Sequence, residues 1–283
     1  MFEFPEFLRI DISGPIDDAV TWMLRNWDAF FDTIRDIILV MFNSVEGVLG
    51  IVPWWLFIIG VFVAGWKLYN VKTGIALSSM LMVIGLFGLW ELMIYTLVIV
   101  IISVVVSILL GLPVGIFMAK STKAKAIIMP ILDGMQTMPR FVYLLPAVMF
   151  FGFGRVPAII ATTSYAIAPL IRLTYLGISQ VNKEVIEAGK SFGSTPRQML
   201  LKIEFPQALS SIMTGVNQTT MMAMAMVVIS SMIGAEGIGE QVLIAIRRQQ
   251  IGKGLEAGFG IVFLAIILDR VLQGAAKKLK ERS

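Results

Sequence analysis

Several long runs of apolar residues constrain this chain more than any other feature of its sequence. The longest, residues 92–119, exceeds the about 20 apolar residues that a helix needs to cross the hydrocarbon core of a bilayer. A helix also satisfies its own backbone hydrogen bonds, which lipid cannot do. With 57% hydrophobic residues and a mean hydropathy of +0.85, the chain is too apolar for a water-soluble domain. The sequence therefore predicts an all-α polytopic membrane protein.

The apolar runs divide into about seven predicted spans. The first run, 54–66, is short unless 48–52 extends the same helix. Residues 127–139 contain two prolines and Asp133, so we predict a re-entrant or surface segment there rather than a full span. The seven predicted spans are 54–66, 73–90, 92–119, 141–153, 156–173, 210–233 and 255–272.

Basic residues concentrate in alternate loops between these spans, which sets the predicted orientation. Sixteen of the 23 lysines and arginines fall on one side when Arg140 is counted there. Cytoplasmic loops carry the excess of lysine and arginine in multi-pass proteins, so this side is predicted to be cytoplasmic. The N-terminus and residues 234–254 are then outside, and the C-terminus is inside. The segments on the basic side are 67–72, 120–125, 172–202 and 270–282.

The first 46 residues differ from the rest because acidic residues outnumber basic ones, nine to three. This segment has neither a basic start nor a short apolar core, so it lacks the pattern of a cleaved signal peptide. From Val20 to Met41, apolar residues recur at helical spacing opposite charged ones, which predicts an amphipathic helix. Such a helix lies either in the membrane interface or against the flank of the bundle, and the sequence leaves both open.

A polar segment, residues 182–206, interrupts the apolar runs and carries its own helix-end signals. Asn182 is a predicted N-cap, and Gly193 is placed as the left-handed residue that ends the first helix. We predict a helix–glycine–helix hairpin on the cytoplasmic membrane surface, exposed for a partner to dock. A capping box with proline at the first helical position begins the second helix; it consists of Thr195, Pro196 and Gln198.

The chain has no cysteine and no histidine, which removes thiol chemistry, imidazole catalysis and the usual zinc sites. Gly189-Lys190-Ser191 looks like the end of a phosphate-binding loop. That loop needs a glycine five positions before Gly189, where Glu184 stands instead. We therefore predict no catalytic residue, no metal site and no nucleotide site in this chain. The net charge of +4 comes from the predicted cytoplasmic loops, so no nucleic-acid partner is predicted.

Polar and flexible side chains interrupt the sixth predicted span. Amide and hydroxyl groups are costly in lipid unless they face protein or water, and methionine adapts its shape to its neighbours. We predict that this helix lines the translocation pathway or faces another subunit; ordinary packing within the bundle is the alternative. No charged residue lies in the middle of this span, which argues against an ion-coupled pump. The candidate pathway residues are Asn217, Gln218, Thr220, Met221, Met222 and Met224.

The hairpin resembles the EAA signature of the permease subunits of ABC importers, whose pattern is E-A-A-x3-G-x9-I-x-L-P. The spacing in this chain is intact, but Gly189 replaces the second alanine and Phe205 replaces the leucine. The resemblance implies that this loop forms coupling helices, which dock into a groove of an ATPase subunit. It implies the coupling residues Glu187, Ala188, Gly189, Gly193, Thr195, Pro196, Ile203 and Pro206.

From Gly193 to Gly239 the sequence is also similar to the permeases of glycine betaine and proline betaine importers. This resemblance implies the transmembrane domain of an ABC type I importer, with the segments that precede the core as an addition. The expected division is an extracytoplasmic or interfacial segment 1–47, two additional spans in 48–91, a permease core 92–272 with the coupling loop 182–206, and a basic cytoplasmic tail 273–283.

The same resemblance implies the partners. Two copies of the chain would pair with two ATPase subunits in the cytoplasmic (inner) membrane of a bacterium, and a separate extracytoplasmic binding protein would deliver a betaine-type osmoprotectant. ATP and Mg²⁺ would bind to the ATPases, so this chain is expected to hold no cofactor and to catalyse no reaction. Two alternatives stay open. One is a related permease for another solute, such as choline or an amino acid, and the other is an ion-coupled secondary transporter or channel.

Overall fold

The computed structural model describes residues 13–282, which fold into helices joined by short turns, so the predicted all-α fold is confirmed over these residues. Short 3₁₀ turns at Arg140–Tyr143 and Ser231–Ile233 and a π-helical turn at Met199–Glu204 adjoin the α-helices. The α-helices are α1 (Ser13–Asn26), α2 (Asp28–Ile51), α3 (Trp54–Leu68), α4 (Val71–Leu86), α5 (Trp90–Lys120), α6 (Thr122–Thr137), α7 (Leu144–Phe151), α8 (Arg155–Ser179), α9 (Lys183–Ser191), α10 (Pro196–Gln198), α11 (Phe205–Ser230), α12 (Ile238–Arg247) and α13 (Ile251–Arg282).

Helices α5, α8 and α11 pack against one another and form the centre of the bundle. Small residues make these contacts close. A Cβ atom added at Gly115 on α5 would lie 2.6 Å from the Cβ of Thr174 on α8. A Cβ added at Gly177 on α8 would lie 2.8 Å from the Cβ of Ser211 on α11. Such close approach of backbones is how helices commonly associate within membranes, where apolar burial alone gives no preference for protein over lipid.

Among the described residues, three single helical segments are long and apolar enough to cross a membrane. Each contains one of the predicted spans 92–119, 156–173 and 210–233. Helices α2 and α3 meet the same criterion only as a pair, and that pair is bent by 93°. A multi-span helical membrane protein is therefore what the structure supports. The three segments are Trp90–Lys120, Arg155–Ser179 and Pro196–Ile233.

The sharp bend between α2 and α3 lies at Val52 and Pro53. Proline has no N–H to continue a helix, and it disfavours the helical conformation of the residue before it. Val52 accordingly adopts an extended backbone, with φ −75° and ψ 118°. Residues 48–51 belong to α2 and Val52 is its C-cap, so these residues do not continue the helix of the first predicted span, α3.

The predicted amphipathic helix is interrupted at Trp27. In the structure it consists of two helices, α1 before this residue and the first part of α2 after it. The second half of α2 packs on the bundle. Phe42 is fully buried and stacks on Tyr95 near the start of α5, with ring centroids 6.4 Å apart. Phe31 stacks on Phe150 of α7 at 4.7 Å. α1 has no buried residue. Residues 1–12 of the predicted N-terminal segment lie outside the described residues.

Arg155, the first residue of α8, joins α2 to the core at one end of the bundle, which we call the Arg155 end. Its guanidinium pairs with Glu236 at 2.9 Å and with Glu46 at 3.7 Å. It also lies over the rings of Phe42 and Tyr95, 4.8 and 5.1 Å from their centroids. A cation at a helix N-terminus is disfavoured by the helix dipole, and these carboxylates and rings compensate for it.

The segment from α6 to α7 runs antiparallel to α8, from the opposite end of the bundle to the Arg155 end. Asp133 of α6 pairs with Arg172, and the rings of Tyr143 and Tyr165 lie 5.7 Å apart. The predicted fourth span, 141–153, falls on the apolar helix Arg140–Phe151, which is shorter than a full crossing. At about 1.5 Å per residue, the apolar helix Arg140–Phe151 covers about 18 Å of a core that is about 30 Å thick.

Pro139 separates this short apolar helix from α6. Proline breaks the helical hydrogen bonding between α6 and the following 3₁₀ turn, but the chain continues in the same overall direction along α8. Arg140 follows this break, and its guanidinium lies 5.3 Å from the ring centroid of Tyr165, well inside α8. The guanidinium of Arg140 therefore lies beside a residue ten positions along α8 from Arg155.

The second arm of the hairpin continues directly into α11, because no helix-ending residue follows Gln198. Pro196–Ile233 is one helical segment of 38 residues, whereas the sequence predicts a separate surface helix and a span that starts at 210. Pro206 cannot donate an N–H to the carbonyl of Lys202, and its ring crowds that carbonyl. The π-helical turn Met199–Glu204 widens the helix just before this proline and accommodates it.

Candidate coupling site

The first arm of the hairpin, α9, has caps at both ends. The side chain of Asn182 accepts a hydrogen bond from a first-turn N–H at 2.9 Å. At the other end Gly193 has φ 74°, the left-handed region, and its N–H donates to the carbonyl of Lys190 at 2.9 Å. The N–H of Ser194 donates to the carbonyl of Gly189 at 3.1 Å, which completes a Schellman motif. Both predicted end signals are confirmed.

The second arm begins with the predicted capping box, which is confirmed. The N–H of Gln198 donates to the hydroxyl oxygen of Thr195 at 3.3 Å, and the N–H of Thr195 donates to the side-chain carbonyl of Gln198 at 2.9 Å. Pro196 occupies the first helical position, where a missing N–H costs nothing. Because both helix ends at the tip of the hairpin are capped, we treat the hairpin as a rigid body.

Gly189 holds the two arms close together. It is buried, and a Cβ added there would lie 2.6 Å from the Cδ1 of Ile203 and 2.9 Å from the Cε of Met199. Both neighbours belong to the π-helical turn of the second arm. The departure from the alanine of the EAA pattern therefore has a packing reason: the second arm fills the space that a methyl group would take.

The face of the hairpin that remains exposed is partly apolar. Glu187 and Ala188 are exposed, and Phe192 at the end of α9 has 91% of its surface accessible. Leu201 on the second arm is 55% accessible. Exposed apolar side chains next to charged ones on a rigid element are typical of a surface that binds another protein. Ile203 and Pro206 are half-buried within the hairpin, and Thr195 and Pro196 are exposed at its tip.

The six candidate pathway residues of α11 do not share one face. Thr220 donates its hydroxyl to the carbonyl of Val216 within the helix, and Met224 is buried at 2% exposure. Asn217 donates from its amide to the carboxylate of Asp269 on α13 at 2.9 Å. The residues that reach the surface of the single chain, fully or in part, are Asn217, Gln218, Met221 and Met222.

Residues 111–281 match the family described as binding-protein-dependent transport system inner membrane component. The match covers the central helices from the middle of α5, the hairpin, and α13. The chain belongs to this family. It is therefore a permease: a multi-pass, inner-membrane transport component of an ABC transporter, without catalytic activity, that works with an ATPase and a binding protein.

Several relatives of the permease are similar over almost its whole length. The glycine betaine/carnitine transport permease protein GbuB of Listeria monocytogenes is 44% identical over 98% of this chain and 99% of its own. The glycine betaine transport system permease protein OpuAB of Bacillus subtilis is 41% identical over 97% of each chain. The glycine betaine/proline betaine transport system permease protein ProW of Escherichia coli is 41% identical over 96% of this chain and 77% of its own.

Solved structures share the fold of the permease. An inward-facing structure of the MetNI methionine ABC transporter has a TM-score of 0.57 at 21% identity and covers 66% of this chain and 92% of its own. An amino acid ABC transporter solved with histidines has a TM-score of 0.55 and covers 72% of this chain and 97% of its own. At these identities the likeness establishes the helical fold of an ABC importer transmembrane domain.

Two features of the permease site escape sequence reasoning. Glu204, at the base of the hairpin, is paired with Lys120 at the end of α5, and its side chain is only 6% exposed. No local pattern links residues 84 positions apart. Phe192 is the second such feature. A large apolar residue directly before the C′ glycine of a polar loop was the available signal for a docking residue.

Proposed function

We propose that this permease imports glycine betaine and related betaines, driven by ATP hydrolysis on a partner subunit. Support for the substrate comes from the printed functions of the three relatives that align over at least 96% of the chain. The single observation that carries the coupling role is the rigid, doubly capped hairpin with Phe192 exposed at its end. A surface of this kind can receive a protein and transmit a displacement.

The hairpin would transmit the motion of the ATPases to the membrane helices. When the ATPases close on ATP, the docked hairpin moves with them, and the second arm carries α11 along because the two form one helical segment. Contact between Gly189 and Ile203 keeps the two arms moving together. The proposed coupling contacts are Glu187, Ala188, Phe192 and Gly193, with Gly189 holding the two arms together and Thr195, Pro196, Ile203 and Pro206 shaping the second arm.

We infer seven crossings, of which the fourth is the whole segment from α6 to α7. The hairpin end would be cytoplasmic, the Arg155 end outside and the C-terminus inside, in keeping with the distribution of lysine and arginine. Residues 92–272 would form the permease core, 48–91 two additional spans, 1–47 an outer N-terminal segment and 273–283 a basic cytoplasmic tail. The seven crossings are α3, α4, α5, α6–α7, α8, α11 and α13.

A second copy of the permease would complete the translocation pathway. Gln218 is exposed in the single chain and Met221 and Met222 are half-buried, so this face of α11 has room for a partner or for water. Polar groups such as the Gln218 amide are costly against lipid. Two permeases would bind two ATPases at the hairpin end and a separate binding protein at the Arg155 end.

Reconstitution in proteoliposomes tests this function. The permease, its ATPase and its betaine-binding protein are expected to accumulate radiolabelled glycine betaine only when ATP is supplied on the ATPase side. Uptake by the permease alone, driven by a sodium or proton gradient, would contradict the proposal and support an ion-coupled transporter. ATP-driven uptake of choline or an amino acid in place of glycine betaine would keep the coupling and overturn the substrate.

A further inference from the structure

Arg140 is an exposed residue at the break between α6 and α7, beside the middle part of α8. Its guanidinium is 5.3 Å from the ring centroid of Tyr165, and Tyr165 lies ten residues from the start of α8. At about 1.5 Å per residue, this is about 15 Å from the Arg155 end, near the middle of a core about 30 Å thick. A charged residue at this depth is a marker of function, because lipid does not solvate it.

Arg140 differs from the other arginines on these helices in having no carboxylate partner among the described residues. Arg172 pairs with Asp133, and Arg155 pairs with both Glu46 and Glu236. Arg140 forms no ion pair or side-chain hydrogen bond within residues 13–282, although its side chain is exposed. Its five N–H donors are therefore available for a ligand.

Two buried tyrosines pack next to this arginine. Tyr165 and Tyr143 are each 8% exposed, and their rings meet edge to face with centroids 5.7 Å apart. The hydroxyl of Tyr143 donates to the carbonyl of Met135 on α6, which fixes the ring. The guanidinium lies over the Tyr165 ring, a favourable cation–π arrangement that orients it without using its hydrogen-bond donors.

The segment that carries Arg140 also contacts α11. α11 is the helix on which Gln218, Met221 and Met222 reach the surface of the single chain. An unpaired guanidinium beside such a helix is compatible with a water-filled passage and not with lipid. Arg140 thus lies on a turn that adjoins the helix assigned to the proposed translocation pathway.

We propose that Arg140 is a binding residue of this pathway that receives the carboxylate of the substrate midway across the membrane. The planar guanidinium matches a carboxylate with two parallel hydrogen bonds, which a lysine ammonium does not do. The inference rests on the proposed function in so far as glycine betaine is a small zwitterion with a carboxylate at one end. A solute without a carboxylate, such as choline, would gain nothing from Arg140.

Transport by the complete reconstituted system tests the proposal with two substitutions, Arg140→Gln and Arg140→Lys. We expect Arg140→Gln to lower ATP-driven uptake of glycine betaine about tenfold or more at saturating binding protein, the fold-change that one lost hydrogen bond to a charged group represents. Arg140→Lys should recover part of the rate, since it keeps the charge. ATP hydrolysis stimulated by the liganded binding protein should persist in both, because Arg140 lies far from the hairpin.

Lys72→Gln is the control, because Lys72 is an exposed cation at the start of α4, in the additional spans, with no ion pair among the described residues. Normal glycine betaine uptake by Arg140→Gln, or an equal loss in the control, would overturn the inference and leave the proposed function intact. Folding is checked by monodisperse size-exclusion elution with the ATPase bound. If Arg140→Gln does not assemble, the glycine betaine uptake rate of Arg140→Lys tests the inference instead. A partial rate supports it, and a wild-type rate refutes the need for a planar guanidinium.

The outcome also separates this inference from the proposed function. If the wild-type complex imports a different carboxylated solute and Arg140→Gln loses that transport, Arg140 is a carboxylate site although the betaine assignment is wrong. If the wild-type complex imports only solutes without a carboxylate, both are wrong.

Discussion

The buried carboxylate of Glu204 is paired with the ammonium group of Lys120, 84 residues earlier in the chain. Lys120 is the last residue of α5, and Glu204 ends the π-helical turn of the second hairpin arm. This ion pair joins the base of the hairpin to α5, the most apolar helix of the central bundle. Displacement of the hairpin therefore has a direct route into α5 as well as into α11.

Lys120→Ala is expected to destabilise the permease, because it leaves the Glu204 carboxylate buried without a partner. A buried unpaired group of this kind costs about 1–3 kcal/mol, and the 44% exposure of the Lys120 side chain favours the lower end. The thermal unfolding temperature of the purified permease measures the effect. Lys123→Ala, an exposed lysine with no ion pair among the described residues, is the control.

A second substitution distinguishes the pair from a general effect of Lys120. Adding Glu204→Leu to Lys120→Ala removes the buried charge, and replacing a buried pair by apolar residues is often neutral. The double variant should regain most of the lost stability. An unfolding temperature as low as that of Lys120→Ala alone would contradict the role assigned to this pair.

The local parts of the coupling site could be predicted from the sequence, and the long-range parts could not. Asn182, Gly193 and the capping box are readable because each cap involves residues within a few positions of one another. Contacts between Gly189 and Ile203, or between Lys120 and Glu204, depend on how the arms and helices pack. No periodicity or composition specifies such contacts.

Prolines lie at the two places where the predicted spans differ most from the helices of the structure. Pro139 breaks α6 but does not turn the chain away from α8, and Pro206 is absorbed by a π-helical turn within one long helix. In a membrane bundle, neighbouring helices and local changes of helix type satisfy the freed backbone groups, so proline does not end a span reliably. A boundary predicted at a proline therefore differs from the structure in two places. One is the fourth predicted span, and the other is the junction between the hairpin and α11, which form one helical segment.

Gly189→Ala tests the contact between the arms. Alanine raises helix propensity by about 1 kcal/mol, but its Cβ would meet the Cδ1 of Ile203 at 2.6 Å, so the net change in stability should be within about 1 kcal/mol. In an Ile203→Val background the Cδ1 is absent and only the flexible end of Met199, whose Cε would lie 2.9 Å from the new Cβ, has to move, so Gly189→Ala should be more favourable there than in the wild-type background. Equal effects in both backgrounds, measured by chemical or thermal unfolding, would show that the two side chains do not compete for space.

Gly193→Pro is expected to uncouple the transporter while leaving the permease inserted. Its φ of 74° is inaccessible to proline, and the substitution also removes the N–H that donates to Lys190. Gly193→Asn is the matched variant, because asparagine tolerates the left-handed region and keeps the N–H. ATP-driven glycine betaine uptake should be lost in the first and largely retained in the second. Full uptake by Gly193→Pro would refute the need for a rigid hairpin.

The most direct test of the central claim, that the hairpin is the docking surface for the ATPase, is the affinity of the purified permease for its ATPase after Phe192→Ala. Phe192 is 91% exposed, so its removal should leave the unfolding temperature unchanged. Loss of an apolar anchor worth about 2 kcal/mol should weaken binding about 30-fold. Phe153→Ala, at a phenylalanine that is 78% exposed at the Arg155 end, should bind the ATPase like the wild type. Unchanged affinity for Phe192→Ala, together with an unchanged affinity for a Glu187→Lys charge reversal, would contradict the account.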